Sequence, residues 1–451
     1  MAGLVAAFKV LSMAGKGPDE GSTELSSSSK PARDYFATNP SEIGENIAKF
    51  LDKDSLIAFS SCSRICCSIS AGCLWSKVIL EFPIVESEKS KVEFLFRNAH
   101  FVRTIYVAFD IGLLVGQIQV AFTGMTIPSF LERFPGLKEF RLVEITPQPW
   151  EVRANIVAHI LNRQHRLEIL SLWLSGVTPC PIDIIYRVFQ QQGLHIVKPS
   201  RLKILEIFLH FRPHLPNERG EYLFKPFLNL FGARLGSLED FCLNLEGAPV
   251  ARTIARRHEL EGLSPEQVAL ALNPFSMPSL TFFDLDSICY FEHLSQFVTL
   301  DSLANVRCLA MYTGISVPDH TANVVIMGPP EKTVEDLVAT LRHFKGLKYL
   351  MINIGEPFNN NGNALATLPP AFWDAWASEV SKFCWVVPTL SGIRGQAGLT
   401  GQNFRVARNE DGAHVEKVMD VAEREAIWDE IKALNPNSHW DYWKGNLWVE
   451  D

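Results

Sequence analysis

Apolar positions recur along this chain as apolar-x-x-apolar-x-apolar. The pattern reads VRTIYV from Val102, LKEFRL from Leu137, LEILSL from Leu167 and LKILEI from Leu202. It continues as LEDFCL from Leu238, LTFFDL from Leu280, VRCLAM from Val306 and LKYLMI from Leu347. Successive starts lie 26 to 42 residues apart, in the range that signals stacked repeats. Inside each motif the apolar residues alternate, as Leu170 with Leu172 or Leu205 with Ile207, which predicts a strand with one buried face. Helix-like stretches stand between them: IVAHILNRQ before Leu167, IIYRVFQQQ before Leu202 and VEDLVATLRHF before Leu347, the last with a helix start at Glu331–Thr333. Each unit therefore reads as helix, short turn, strand. The fold class expected is α/β, with the array of strand–helix units over residues 95–390.

The front of the chain has a different texture. Residues 1–34 carry KGPDEGSTELSSSSKPARD, a mixture of Gly, Ser, Pro and both charges that predicts a disordered tail. A helical module is expected over 35–82. Pro40 suits a first helical turn after Asn39 as N-cap. Ile43, Ile47, Phe50 and Leu51 follow at three-to-four spacing, which makes one apolar stripe. Asp52 and Asp54 interrupt it, and Leu56, Phe59, Cys62, Cys66 and Ile69 restart it from Ser55. Gly72 ends this second run, and Leu74 and Trp75 form a further apolar pair. Two or three short helices of this size rarely stabilise themselves well, so the spare apolar face predicts a partner.

Residues 391–451 form an expected C-terminal cap. Just before it FCWVVPTL, 383–390, reads as one more strand; within it SGIRGQAGLTGQN reads as a glycine-rich loop and FRVAR as a strand. MDVAEREAIWDEIKALN, 419–435, reads as an amphipathic helix, and HWDYWKGNLWVED as a Trp-rich tail that folds back over the end of the array.

Composition narrows the function. At 47% hydrophobic residues, 451 residues can bury a large core. A net charge of −8 carries no basic excess, so neither nucleic acid nor an anionic membrane is expected as a partner. The nine cysteines are odd in number and mostly solitary within apolar runs, the usage of buried reduced thiols. The Asn-x-Ser/Thr triplet at Asn39 has Pro40 between, so no glycosylation sequon stands in the chain; no secretory leader is expected from the N-terminal MAGLVAAFKVLSMAGKG, and no stretch nears 18 apolar residues. A cytoplasmic or nuclear protein is expected.

Several patterns that could carry chemistry have plainer readings. Cys62, Cys66, Cys67 and Cys73 lack a CxxC pair or a neighbouring histidine, whereas structural zinc takes paired knuckles. His210 and His214 are four apart, but Pro213 breaks the helix that would align them. Gly392, Gly395, Gly398 and Gly401 lead into FRVAR rather than a helix with a Lys-Ser/Thr pair, unlike a phosphate loop. No cofactor, metal or catalytic residue is expected.

The stretch from Pro40 to Trp75 resembles an F-box. The matching positions are Pro40, Glu42 and Ile43, then Ile47 and Leu51, then LDKDSL at 51–56, SSCSR ending at Arg64, and Leu74–Trp75. It covers about 40 of 451 residues. One departure is Asn39, where the family usually has Leu before the proline. The repeat half resembles the irregular leucine-rich repeats of fungal F-box proteins, although the Asn or Cys usual after the strand motif is largely missing.

The resemblance implies a substrate receptor: a non-catalytic subunit that binds the Skp adaptor of a cullin–RING ubiquitin ligase and recruits a protein substrate. It implies adaptor contacts from Pro40, Ile43, Ile47, Leu51, Leu56, Cys62 and Trp75, divided between the partner and the module's own core. The positions between the strand leucines point to the opposite face. They include Arg141, Ser171, Trp173, Glu206, Phe208, Asp240, Asn244, Asp284, Asp286, Tyr312, Tyr349 and Asn353, and the acidic centre of this set suits a basic substrate. An interaction scaffold without a ligase, and an α/β enzyme with eight units closed into a barrel, are the alternatives.

Overall fold

The computed structural model describes residues 41–82, 89–109, 127–144, 147–177, 182–193, 201–211, 222–223, 225–244, 251–252, 261–285, 294–315, 324–327, 331–359, 365, 368–398, 400–410 and 412–435. The expected disordered tail, Pro40, His214, Asp286 and the Trp-rich end lie outside these residues. The chain divides into two compact units, 1–146 and 147–451. The boundary falls inside the stretch expected to be one array.

The first unit opens with three helices: α1 (Ser41–Phe50), α2 (Lys53–Cys62) and α3 (Arg64–Leu74). The run expected as one helix from Ser55 is broken at Ser63, whose backbone is extended and whose hydroxyl accepts the Cys66 N–H at 3.1 Å. A cap of this kind starts a new helix. Lys77–Phe82, placed by sequence in the helical module, is instead strand β1. It pairs in parallel with β2 (Thr104–Phe109), which pairs with β3 (Glu139–Glu144). Helix α4 (Lys89–Arg97) precedes β2.

The second unit holds a sheet whose strands follow sequence order. Seven are parallel: β4 (Ile169–Val177), β5 (Ile204–Phe211), β6 (Asp240–Asn244), β7 (Phe282–Leu285), β8 (Cys308–Tyr312), β9 (Tyr349–Asn353) and β10 (Gly392–Ala397). β11 (Thr400–Asn409) and β12 (Gly412–Lys417) complete it antiparallel. The longer helices between are α5 (Trp150–Arg163), α6 (Ile182–Gln191), α7 (Pro265–Leu272), α8 (Val334–Leu341) and α9 (Pro370–Ser381). Thr333 and Asp336 form a reciprocal capping box at α8, so that helix begins where the sequence places it.

One backbone device recurs before most of the parallel strands. The first apolar residue of each motif closes a tight turn with its N–H: Leu167 onto Gln164, Leu238 onto Leu235, Leu280 onto Met277, Val306 onto Leu303 and Leu347 onto Phe344. The next residue's carbonyl then accepts two successive N–H groups from the following strand. Glu168 takes Lys203 and Ile204, Lys203 takes Glu239 and Asp240, Glu239 takes Thr281 and Phe282, and Arg307 takes Lys348 and Tyr349. Polar side chains suit this position because the side chain reaches water while the backbone is paired. Lys203 and Glu239 also form an ion pair at 2.9 Å.

The second and third apolar positions are buried in the units whose two positions are both described, as in Leu170 and Leu172, Leu205 and Ile207, Phe241 and Leu243, Leu309 and Met311, Leu350 and Ile352. They make the helix-side core of the sheet.

The glycine-rich segment read as a loop is the hairpin β10–β11, and FCWVVPTL is no strand, since Cys384–Val386 is a 3-10 turn. Leu390 closes the same turn, onto Val387, and Lys348 accepts from Ser391 and Gly392. This is a ninth unit, Leu390-x-x-Ile393-x-Gly395. Its third position is glycine because the rings of Trp373 and Trp376 from α9 fill the space: a Cβ there would stand 2.5 Å from Trp373 Cζ3. Gly398, at φ 55°, makes the turn of the hairpin.

Candidate interaction surfaces

In the N-terminal module α3 packs against both α1 and α2. Asp52 caps α2, its carboxylate accepting the Ser55 N–H at 2.8 Å, and this bond holds the carboxyl below its usual range. Ala48, Leu56 and Cys66 are buried. Ile47 and Phe50, three residues apart and so on one helix face, are 41% and 89% exposed. Leu51, Ile57, Phe59, Ile65, Ile69, Leu74 and Trp75 are only partly covered. Of the expected adaptor contacts, Ile47 and Cys62 are therefore at the surface, Leu51 and Trp75 are half-buried, and Leu56 is a core residue of the module. Ile43 lies on α1, but its side chain is outside the described set. Phe50 is the most exposed large apolar side chain among the described residues, and the sequence pattern shows it only as one member of the stripe.

Arg141 on β3 is half-buried. Its Nε donates to Glu139 at 2.7 Å, and its guanidinium lies 5.2 Å from the Tyr106 ring centre. Tyr106 and Thr104 also donate to Glu139, each at 3.2 Å.

In the second unit the strand face opposite the leucines divides in two. On β4 and β5, Trp173 stands across from Phe208 in register. Their rings stack at 4.2 Å between centroids and 29° between planes, and the Trp173 Nε1–H donates to the buried Ser171 hydroxyl at 3.2 Å. Trp173 is 47% exposed. One row along, Glu206, Cys242 and Asp284 are in register on β5, β6 and β7, and all three are buried. The Cys242 thiol donates to Asp284 at 3.6 Å.

Farther along, helix α10 (Val421–Leu434) covers the face. Trp428 and Ile431 pack on Phe282, Cys308, Ala310, Tyr349 and Met351. The Tyr349 hydroxyl donates to Glu430, and Arg405 pairs with Glu423. Burial first, then the Glu430 bond, push the Tyr349 phenol above its ordinary range. Burial and the neighbouring Asp240 push the Cys308 thiol well up. Burial pushes the Arg394 guanidinium down to about 10, with Arg424 adding to the effect. Asp240, Asp284, Tyr349 and Glu206, expected on an accessible concave face, are thus buried, while Tyr312 is half-buried. For Tyr349 the cause is α10, a long-range contact that the strand alternation does not encode.

A cavity of about 300 Å³ lies between α10 and the sheet, lined by Tyr349, Leu390, Arg405, Arg408, Glu423 and Glu430 among others. Its charged groups are engaged with one another or with backbone: Arg408 donates to the carbonyls of Leu390 and Val387, each at 2.7 Å. Trp173 and Phe208 are the expected substrate-face residues that remain open as a pair.

No family model matches this chain, and no curated protein matches it. Among solved structures it is similar to a Bacteroides fragilis protein at 9% identity and a TM-score of 0.22, over 52% of this chain and 67% of that one. Among the described residues no helix is long and apolar enough to cross a membrane.

Proposed function

We propose that the chain is the substrate-recognition subunit of a Skp–cullin–F-box ubiquitin ligase. The N-terminal helices dock on the Skp adaptor and through it on the cullin. The strand–helix units, read as irregular leucine-rich repeats, hold a protein substrate, and the chain performs no chemistry of its own. Its contribution is proximity, which raises the effective concentration of a substrate lysine near activated ubiquitin. A cytoplasmic or nuclear location follows from this reading.

The observation that carries it is the outward apolar pair Ile47 and Phe50 on α1, inside the stretch with the ordered F-box positions. A helical face that its own module leaves uncovered suits an interface formed with partner helices. Leu51, Ile57, Phe59, Ile65, Ile69, Leu74 and Trp75 of the same module are also only half-covered, which leaves further apolar area for such an interface.

Co-expression with the Skp adaptor and size-exclusion chromatography tests the proposal. Stoichiometric co-elution is expected for wild type and its loss for the double variant Ile47→Asp, Phe50→Asp, with unchanged circular dichroism. No complex from a folded wild type would remove the ligase role and leave an interaction scaffold.

A further inference from the structure

Helix α10 crosses the sheet in one direction. Near its start Glu423 pairs with Arg405 on β11. Two turns on, Glu430 accepts the Tyr349 hydroxyl on β9, and Trp428 and Ile431 share a core cluster with Phe282 on β7. Its 14 residues make a helix about 21 Å long. The spacings from β11 to β7, at about 4.8 Å each, come to about 19 Å. The helix is therefore used up at β7. Its cap, Asn435, is buried and has an extended backbone, so the chain leaves α10 from within the face. The strands next in line are β6, β5 and β4.

On those strands the face carries an aromatic surface that is already in place. Trp173 is stacked on Phe208 and exposed, and its indole N–H is tied to Ser171. A ring fixed in this way loses little further freedom when it is covered. The chain supplies a matching segment. Residues 436–451, PNSHWDYWKGNLWVED, hold Trp440, Tyr442, Trp443 and Trp448. From the row under the end of α10 to Trp173 is about 16–20 Å, across the strands and along β4. Eight extended residues, from Asn435 as far as Trp443, span about 26 Å, which leaves slack for a bend. Aromatic rings gain from offset stacking beyond the area they bury.

We propose that residues 436–451 continue from α10 across β6, β5 and β4, with the aromatic run Trp440–Trp443 seated on Trp173 and Phe208. The tail is then a strap along the strand face. It covers the face that the proposed function gives to substrate, so a substrate segment that uses the aromatic pair must displace it. That consequence rests on the ligase reading, and the docking itself does not.

Hydrogen exchange of the full chain tests the docking, with a synthetic peptide of residues 436–451 as the unbound reference. Amides of 440–448 should exchange about tenfold more slowly in the chain than in the peptide, equally at low and high protein concentration. Trp173→Ala should return most of that protection with an unchanged melting curve. The double variant Trp440→Ala, Trp443→Ala reads the same contact from the tail and leaves the sheet untouched. Trp385→Ala, at an exposed tryptophan on the 3-10 turn Cys384–Val386, should change nothing. Tail exchange at the peptide's rate in folded wild type would overturn the proposal. So would protection that survives Trp173→Ala and the double variant, or an equal loss in Trp385→Ala. Protection that appears only at high concentration would seat the tail on a second copy and overturn it too. Adaptor co-elution is scored separately on the same proteins. An unprotected tail with retained co-elution strikes this proposal alone, and a protected tail without co-elution strikes the ligase reading alone.

Discussion

The ring of Trp373 occupies the place that a side chain at Gly395 would take, its Cζ3 only 2.5 Å from the position of a Cβ there. Two tryptophans on α9 thus do the work that the third leucine does in the other strands. Gly395→Ala is expected to destabilise the chain by about 1–3 kcal/mol, the usual cost of overpacking a filled core. Urea denaturation measures it. An unchanged midpoint would mean that Trp373 and Trp376 move aside freely.

Tyr349 joins β9 to α10 through its bond to Glu430. Tyr349→Phe keeps the ring against Trp428 and Ile431 and removes only that bond. A loss of about 1 kcal/mol is expected, with faster amide exchange along α10. The phenol is held above its ordinary range by burial and by Glu430. Its contribution is therefore complete below the unfolded value, about 10, and is lost as pH rises beyond it. The variant should lack that alkaline loss, and equal alkaline curves for the two proteins would contradict the contact.

Lys225 is fully buried, with its ammonium 5.5 Å from the Phe275 ring centre, and burial pushes it down to about 8. The charged form is the penalised one in the folded chain. Relative to Lys225→Met, wild-type stability should stay level below about pH 8 and rise towards the unfolded value, about 10.4. The difference between the two proteins cancels the opposite slopes from Tyr349 and Cys308. A difference that is flat, or that falls, between pH 7 and 10 would place the Lys225 head in water.

The eight strands from Thr104 to Asn353 are legible because their interior alternates at period two, and the turn leucines sit at a fixed offset before each. The ninth strand was hidden because Gly395 replaces the expected leucine, and its compensation lies on α9, about 20 residues back. β1 is hidden because only the short turn at Trp75–Ser76 separates Lys77–Phe82 from the helical module, with no Gly or Pro to mark it. Of the surfaces, the open Trp173–Phe208 pair is legible from strand parity. The burial of Tyr349 is not, since α10 returns from 72 residues beyond it to cover that face. Exposure on α1 was legible as an excess apolar stripe, but which residues face outward depends on where α3 packs.

The measurement that bears most directly on the proposed function is hydrogen exchange of the purified chain with and without the Skp adaptor. Slowed exchange is expected within α1 to α3, residues 41–74, and none on β4 or β5. Protection on β4 and β5 with none on 41–74, or no change anywhere, would contradict it.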